Sequence, residues 1–342
     1  MSRPTWSPPR RPARRSPHSI ASSGARNNGF LDPPDDGRAT LGGVAATGLG
    51  GAQALAYGSP RAHVIGMRVL LADGRLIKAG GRVVKNVAGY DLCKLFVGSY
   101  GTLGLITELT FKLRPRPARE ATVMMRSEGA HALFEIARSI AARRLLPVAV
   151  ELLSPAVARE VGAAPADNFD YALAVRFAGT TEAIDDQCGT LRDLARQTAG
   201  IASTEITASD EHLWRALAAL STRRAGALQW RAQVKPTLLP EVAAMLNQGD
   251  FGRGVAWHAG LGDGKLRVRV DAQNESAHLS ARTNAVRQAI VQKKGSLVIE
   301  SVPDNWSAEE FAMWGDVGAT LPLMKRITRQ LDPENCFPSG GF

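Results

Sequence analysis

Two short runs rich in glycine and hydroxyl side chains hold the residues of this chain best suited to chemistry. Gly98-Ser-Tyr-Gly-Thr-Leu-Gly104 spaces its glycines three apart, and Arg38-Ala-Thr-Leu-Gly-Gly-Val-Ala-Ala-Thr47 sets a Gly-Gly pair between two threonines. Backbone without Cβ lets a ligand come close and turns N–H groups toward it. Phosphates are commonly held this way. One glycine turn by itself means little, because glycine is the default turn residue; the two runs together carry the weight.

A second set of residues suits proton transfer and anion binding. His258, in Ala256-Trp-His-Ala-Gly-Leu-Gly262, has an unperturbed pKa near neutrality and is a candidate general base. The same alternation also fits a histidine on a solvated sheet face. Arg231 and Lys235 are candidates to hold a carboxylate, the arginine in a bidentate way, with plain surface roles as the alternative. Asp91 has the side chain of a helix N-cap, and Tyr90 that of a packing residue.

The elements that must position these groups are readable from pattern. Val64–Ala72 and Arg75–Ala79 flank Asp73-Gly74, a favoured two-residue hairpin turn. From Leu105 onward Leu109, Phe111 and Leu113 alternate with Glu108, Thr110 and Lys112, which predicts a strand buried on the leucine side. Pro115 and Pro117 close that segment and mark a domain boundary. Beyond residue 118 strands and helices alternate. Strands are expected at Ala121–Arg126, Val148–Leu153, Tyr171–Phe177, Leu228–Val234, Val255–Ala259, Leu266–Val270 and Ser296–Ser301. Helices are expected at Ala130–Arg144, Glu182–Thr198, Ala277–Lys293 and Leu321–Leu331. Such alternation fits a parallel doubly wound sheet or an antiparallel ferredoxin-like one. A hairpin turn at Gly262-Asp-Gly264, and no phosphate fingerprint in this half, favour the second.

Composition bounds the function. The chain has 342 residues, 44% of them apolar, enough for two cored domains. The net charge of +10 is concentrated at one end: residues 1–31 hold six arginines and no acid, leaving 36 basic against 32 acidic side chains over residues 32–342. No basic stripe is interleaved with aromatics, so a nucleic-acid-binding function is disfavoured. Cys93, Cys188 and Cys336 are too far apart for an iron–sulfur or other metal motif, and a reducing, cytoplasmic compartment fits them. No apolar run reaches membrane-span length. Residues 1–31, dense in Pro, Arg and Ser, read as a disordered tail.

Together the runs at 38–47 and 80–113 resemble the flavin domain of the vanillyl-alcohol oxidase/PCMH-type FAD oxidoreductases. Lys85-Asn-Val-Ala-Gly-Tyr-Asp-Leu92 makes the likeness greatest to the FAD-binding E subunits of glycolate oxidase complexes. The resemblance implies an α+β chain: an incomplete PCMH-type FAD-binding domain over 32–117, then a ferredoxin-like antiparallel-sheet cap domain over 118–342 whose C-terminal segment returns to the flavin domain. It assigns FAD contacts to Thr40, Gly42, Gly43, Thr47, Ser99, Gly101, Thr102, Gly104 and Ile106; Lys85 and Asn86 are candidates to reach a ring carbonyl, with a solvated lysine as the equal alternative. It implies oxidation of a small 2-hydroxy acid such as glycolate. Its expected partners are a flavin-bearing and an iron–sulfur subunit, in the cytoplasm or at the inner membrane through those partners.

One departure tempers these expectations. In the family a first subdomain with a further glycine-rich turn precedes Ala-Thr-x-Gly-Gly, and nothing here matches it, so the chain reads as half of a cofactor site. Two rival readings follow: a non-catalytic assembly subunit, or a truncated gene product that does not retain FAD. The tail reading predicts that limited proteolysis cuts first within Arg10–Arg15; protection of that segment would refute it.

Overall fold

The computed structural model describes residues 27–28, 32–82, 90–164, 170–208, 210–220, 222, 226–248, 251, 255–271, 276–315 and 317–338. The first part of the chain holds β1 (Asn27–Asn28), α1 (Leu41–Thr47), α2 (Ala54–Tyr57), α3 (Pro60–His63), β2 (Val64–Leu70), β3 (Leu76–Gly80), α4 (Cys93–Phe96), β4 (Leu105–Phe111) and β5 (Arg114–Pro115). β3, β2 and β4 form a three-stranded antiparallel sheet, and β1 pairs with β5. Asn27 and Asn28 therefore join the fold ahead of Asp32, where the sequence boundary was drawn; the rest of residues 1–31 lies outside the described residues.

Helix α1 starts where Thr40 takes an extended conformation and its Oγ1 accepts the Gly43 N–H at 3.1 Å. It stops at Gly48, whose φ of 66° is the left-handed geometry of a helix C-cap. Its Ala45 packs with Val69, Phe96 and Leu103 in the core of this half. Strand β4 departs from the predicted alternation. Its register against β2 shifts between Arg68 and Val69, which pair with Glu108 and Ile106, so Thr107 is the extra residue of a bulge. The bulge reverses which residues face inward: Ile106 joins Leu109 and Phe111 against the core, and Leu105 is 53% exposed. The β2–β3 turn is also longer than two residues. The Leu71 N–H donates to the Arg75 carbonyl, and Gly74 takes a φ of 83° inside that loop.

The second part comprises β6 (Arg119–Ser127), α5 (Ala130–Ala142), β7 (Ala149–Leu153), α6 (Pro155–Glu160), β8 (Tyr171–Gly179), α7 (Thr181–Gln197), β9 (Ser203–Ala208), α8 (Glu211–Leu220), β10 (Ala227–Gln233), α9 (Leu239–Gln248), β11 (Val255–Gly260), β12 (Lys265–Asp271), α10 (Ser276–Gln292), β13 (Ser296–Ser301) and α11 (Leu321–Leu331). Its strands build one eight-stranded sheet in the order β13-β10-β12-β11-β7-β8-β6-β9, every neighbour antiparallel. The sheet contains two β-α-β-β-α-β units: β6-α5-β7-β8-α7-β9 and β10-α9-β11-β12-α10-β13. Each is ferredoxin-like, and they join edge to edge through β7 and β11. The ferredoxin-like cap expected from sequence is thus present twice.

Side-chain parity sorts the two faces of this sheet. Val123, Val150, Val175, Trp230, Trp257, Val268 and Ile299 point to one side and meet α5, α7, α9 and α10 in the main core. Fully burying side chains of this size contributes about 1.5–3 kcal/mol each. On the opposite face, Met124, Ala149, Ala174 and Ala256 meet α6 and α8. The rest of that face is polar and turns toward the first part of the chain. Tyr100 reaches Arg231 across this contact, and Gly50 reaches Arg267. Helix α11 returns to the first part, packing Ile327 and Leu331 on its core. Asp332 then closes the helix: its Oδ1 and Oδ2 accept the N–H groups of Cys336 and Phe337. No helix among the described residues is long and apolar enough to cross a membrane.

The β11–β12 hairpin has no room for a side chain at its turn. Gly264 has a φ of 76°, and a Cβ there would stand 1.8 Å from the Val234 carbonyl oxygen, which no rotamer change can relieve. Gly264→Ala is therefore expected to destabilise the protein by roughly 2–4 kcal/mol in urea unfolding, because both φ strain and a backbone clash act at once; an unchanged midpoint would refute this packing.

Candidate active site

The two glycine-rich runs meet at the C-terminal end of α1. The Gly98 N–H donates to the Ala45 carbonyl at 3.0 Å, and the Tyr100 N–H to the Ala46 carbonyl at 2.8 Å. The Ser99 N–H goes to Phe96 and the Thr102 N–H to Ser99. Four N–H groups of the turn therefore satisfy protein carbonyls. The hydroxyls behave likewise: Thr47 Oγ1 donates to the Gly43 carbonyl at 3.0 Å, and Thr102 Oγ1 to the Ser99 carbonyl at 2.7 Å. A Cβ on Gly104 would lie 2.5 Å from Val69 Cγ1, so this glycine lets the turn pack on β2. Gly42 sits over the Ile106 carbonyl, 3.8 Å from where its Cβ would be.

What stays open is narrower. Gly98 and Gly101 have no heavy atom within 4 Å of a Cβ position. Ser99 Oγ is buried without a hydrogen-bond partner. An open glycine cradle beside an orphaned hydroxyl fits one side of a bound cofactor. Thr40, Thr47, Thr102 and Gly104 shape that cradle through their own contacts.

Other sequence candidates fall differently. Asp91 does not cap α4: Leu92 holds the N-cap position without a side-chain bond, and Asp91 instead ion-pairs with Lys94 at 3.4 Å. Tyr90 is 97% exposed, so it is not a buried packing residue. Lys85 and Asn86 lie outside the described residues. Lys235 is exposed. Arg231 ion-pairs with Glu300 at 2.8 Å and donates to the Tyr100 hydroxyl at 3.0 Å, so its charge is already matched.

His258 is not on a solvated face. Its side chain is 12% exposed, and its Nδ1–H donates to Glu151 Oε2 at 2.9 Å. A carboxylate can only accept, which places the proton of the neutral ring on Nδ1 and leaves Nε2 as an acceptor. Nε2 is buried with no hydrogen-bond partner. His258 lines a cavity of about 60 Å³ together with Asp32, Glu151, Arg176, Lys265 and Arg267. Pattern reading missed Glu151, Arg267 and Asp32. The signal was available for Arg267, which shares the parity of Lys265 and Arg269 on a strand whose other side is apolar.

The comparisons with known proteins bear on this arrangement. Residues 19–80 match the family described as FAD binding domain, a match that begins inside the segment read as a tail. That segment is thus similar to an FAD binding domain. The chain is 41% identical to glycolate oxidase subunit GlcD of Bacillus subtilis over 37% of its length and 28% of that protein's. It is 44% identical to glycolate oxidase subunit GlcE of Escherichia coli over 31% of both chains. It is 26% identical to D-2-hydroxyglutarate dehydrogenase of Xanthomonas citri over 93% of this chain and 72% of the relative. A solved structure of alkyldihydroxyacetonephosphate synthase superposes with a TM-score of 0.61 at 14% identity, covering 90% of this chain and 60% of that one. The matches to the two glycolate oxidase subunits thus span under a third of each relative's length.

Asp32 gives this site a pH signature. Burial lifts its carboxyl from 3.8 to about 6, against the opposing pull of the Gln53 N–H that its Oδ2 accepts at 2.7 Å. The folded state therefore binds this proton more tightly than the unfolded one. Stability should decline as pH rises from 3.8 to about 6 and stay level above that. Asp32→Asn should remove that decline, gaining up to roughly 3 kcal/mol over wild type at pH 7 relative to pH 4; equal pH slopes in urea unfolding would refute it.

Proposed function

We propose that the chain is the FAD-binding subunit of a glycolate oxidase-like complex, oxidising a small 2-hydroxy acid by hydride transfer to flavin. The buried His258–Glu151 pair, lining a cavity that Asp32 and Gly50 of the first half also line, is the observation that carries this reading. Gly42, Gly43, Ser99 and Gly101 would hold one side of FAD, and Thr40, Thr47, Thr102, Gly104 and Ile106 would keep that side in shape. Bound FAD would supply a two-electron acceptor. His258 Nε2 takes the proton of the substrate hydroxyl, and Glu151 steadies the imidazolium that results. The cap sheet excludes water from that transfer. Electrons would leave through a flavin-bearing and an iron–sulfur partner, in the cytoplasm or at the inner membrane through those partners.

The second reading, a docking subunit that binds no flavin, is favoured by one observation: four N–H groups of the glycine turn already serve protein carbonyls. Flavin spectra of the purified chain, alone and with its partners, separate the two. In a flavin-loaded preparation, glycolate should bleach the flavin anaerobically, and His258→Gln should slow that bleaching about 10²–10⁴-fold at unchanged flavin content. Bleaching at the wild-type rate would remove His258 as the base. A preparation that stays colourless with partners present would favour the docking subunit.

A further inference from the structure

Helices α1 and α4 cover one face of the sheet β3-β2-β4, where Ala45 and Phe96 meet Met67, Val69, Ile77 and Leu109. Strand parity turns the neighbours of these strand residues to the opposite face. Register aligns them there in three rows. Leu76, Leu70 and Leu105 form the first, Lys78, Arg68 and Glu108 the second, and Gly80, Gly66 and Thr110 the third. Leu76 and Leu105 are each more than half exposed. Single exposed leucines need no explanation, whereas contiguous apolar surface marks an interaction site.

The row beside the leucines is basic. Arg68 Nε meets Glu108 Oε2 at 3.3 Å, and both side chains are at least half exposed, so water competes for this pair. Lys78 and Arg82 have no acidic partner among the described residues. Three cations thus stand against one carboxylate. With Gly66 and Thr110 they line a basin of about 390 Å³, against about 60 Å³ for the cavity beside His258. Gly66 and Gly81 bring only backbone to its wall, which leaves room for side chains from outside.

Charge decides what can cover this face. Residues 1–31 carry six arginines and no acid, and residues 83–89 carry Lys85 and no acid, so neither segment complements the basic row. A second copy meeting it face to face would set cations against cations. A flat anionic membrane would leave the basin unfilled and press Glu108 against like charge. A segment of another protein, with acidic side chains reaching into the basin, suits the leucines, the cations and the hollow together.

We propose that the open face of β3-β2-β4 is a docking surface for a different protein chain, through an amphipathic segment that sets apolar side chains on the leucine row and Asp or Glu on the basic row. The rows lie two residues apart along each strand, so the partner presents its acids roughly 7 Å from its apolar anchor. This goes beyond the hydroxy-acid reading, and nothing in it depends on flavin.

The test is fluorescence anisotropy of a labelled synthetic helix of about 20 residues, long enough to form in water, with a leucine stripe flanked by glutamates. It is titrated with the full chain, and a matched peptide with lysine for every glutamate is the control. The acidic peptide is expected to bind at least about tenfold more tightly than the basic one. Lys78→Glu with Arg82→Glu should weaken it at least about tenfold. Leu76→Thr with Leu105→Thr, which keeps strand propensity, should do likewise. All four positions lie on the surface, and circular dichroism checks that the variants fold. Acylation of the Lys78 amine, read by mass spectrometry on the unmutated chain, should fall when the acidic peptide is bound. Replacing Arg10, Arg11, Arg14 and Arg15 by Gln should leave the affinity unchanged. No binding of the acidic peptide, equal binding of the basic one, wild-type affinity in either pair of sheet variants, or a loss confined to the arginine-tail variant would overturn the proposal. Sedimentation with phosphatidylserine vesicles that the sheet variants abolish would overturn it in favour of a membrane.

Discussion

Everything in the second half of this protein depends on the alternation of side chains across one antiparallel sheet. Consecutive residues of a strand face opposite ways, so a sheet covered by helices on one side must place its polar residues on the other. Trp257 and His258 are neighbours in sequence, yet one is sealed under helices while the other lines the cavity that residues of the first half also line. The same holds for Leu266 and Arg267. Once Trp230, Trp257 and Val268 are committed to the core, the line of Arg231, Arg267 and His258 follows without any further instruction. The polar row is the remainder left by packing the apolar face.

Much of this was legible in the sequence, for the same reason. The strands at Leu266 and Ser296 were readable because each alternates against a helix-covered core, and those at Tyr171 and Leu228 because they are short apolar runs buried along most of their length. α11 ends where expected because its polar and apolar faces separate cleanly and Asp-Pro follows. β9 was not legible: Ser203-Thr-Glu-Ile-Thr-Ala208 is a short, polar edge strand paired only with β6, so its apolar signal is weak. The parity of β4 was misread because a bulge leaves no mark in composition; Thr107 looks like any polar strand residue. Asp91 was misassigned for a similar reason, since a carboxylate before a helix suits a cap and an i,i+3 ion pair alike.

The site was legible in halves. The glycine runs stood out, because close spacing of glycine is rare outside turns that need it. What they do could not be read there. Which N–H groups serve α1 and which remain open depends on how Gly98 and Tyr100 meet Ala45 and Ala46, far away in the chain. His258 was visible as a titratable group with two opposed readings, and only the pairing of β11 with β7 decides between them. Glu151 lies 107 residues before His258. No local pattern connects them, and in isolation each resembles a surface residue on an alternating strand.

That connection runs through the join between the two ferredoxin-like units. Among the described residues, β7 and β11 share three register pairs, His258 with Leu153, Ala259 with Leu152 and Gly260 with Glu151. β6 and β8 share a run from Arg119 to Ser127. The join is thus the shortest zipper in the sheet, and the histidine and its carboxylate are two of its teeth. Local opening free energy follows the number of ladder bonds and apolar contacts that must part. Parting the two units along this line would separate His258 from Glu151. The His258–Glu151 pair is in effect a reporter of whether the two units are zipped.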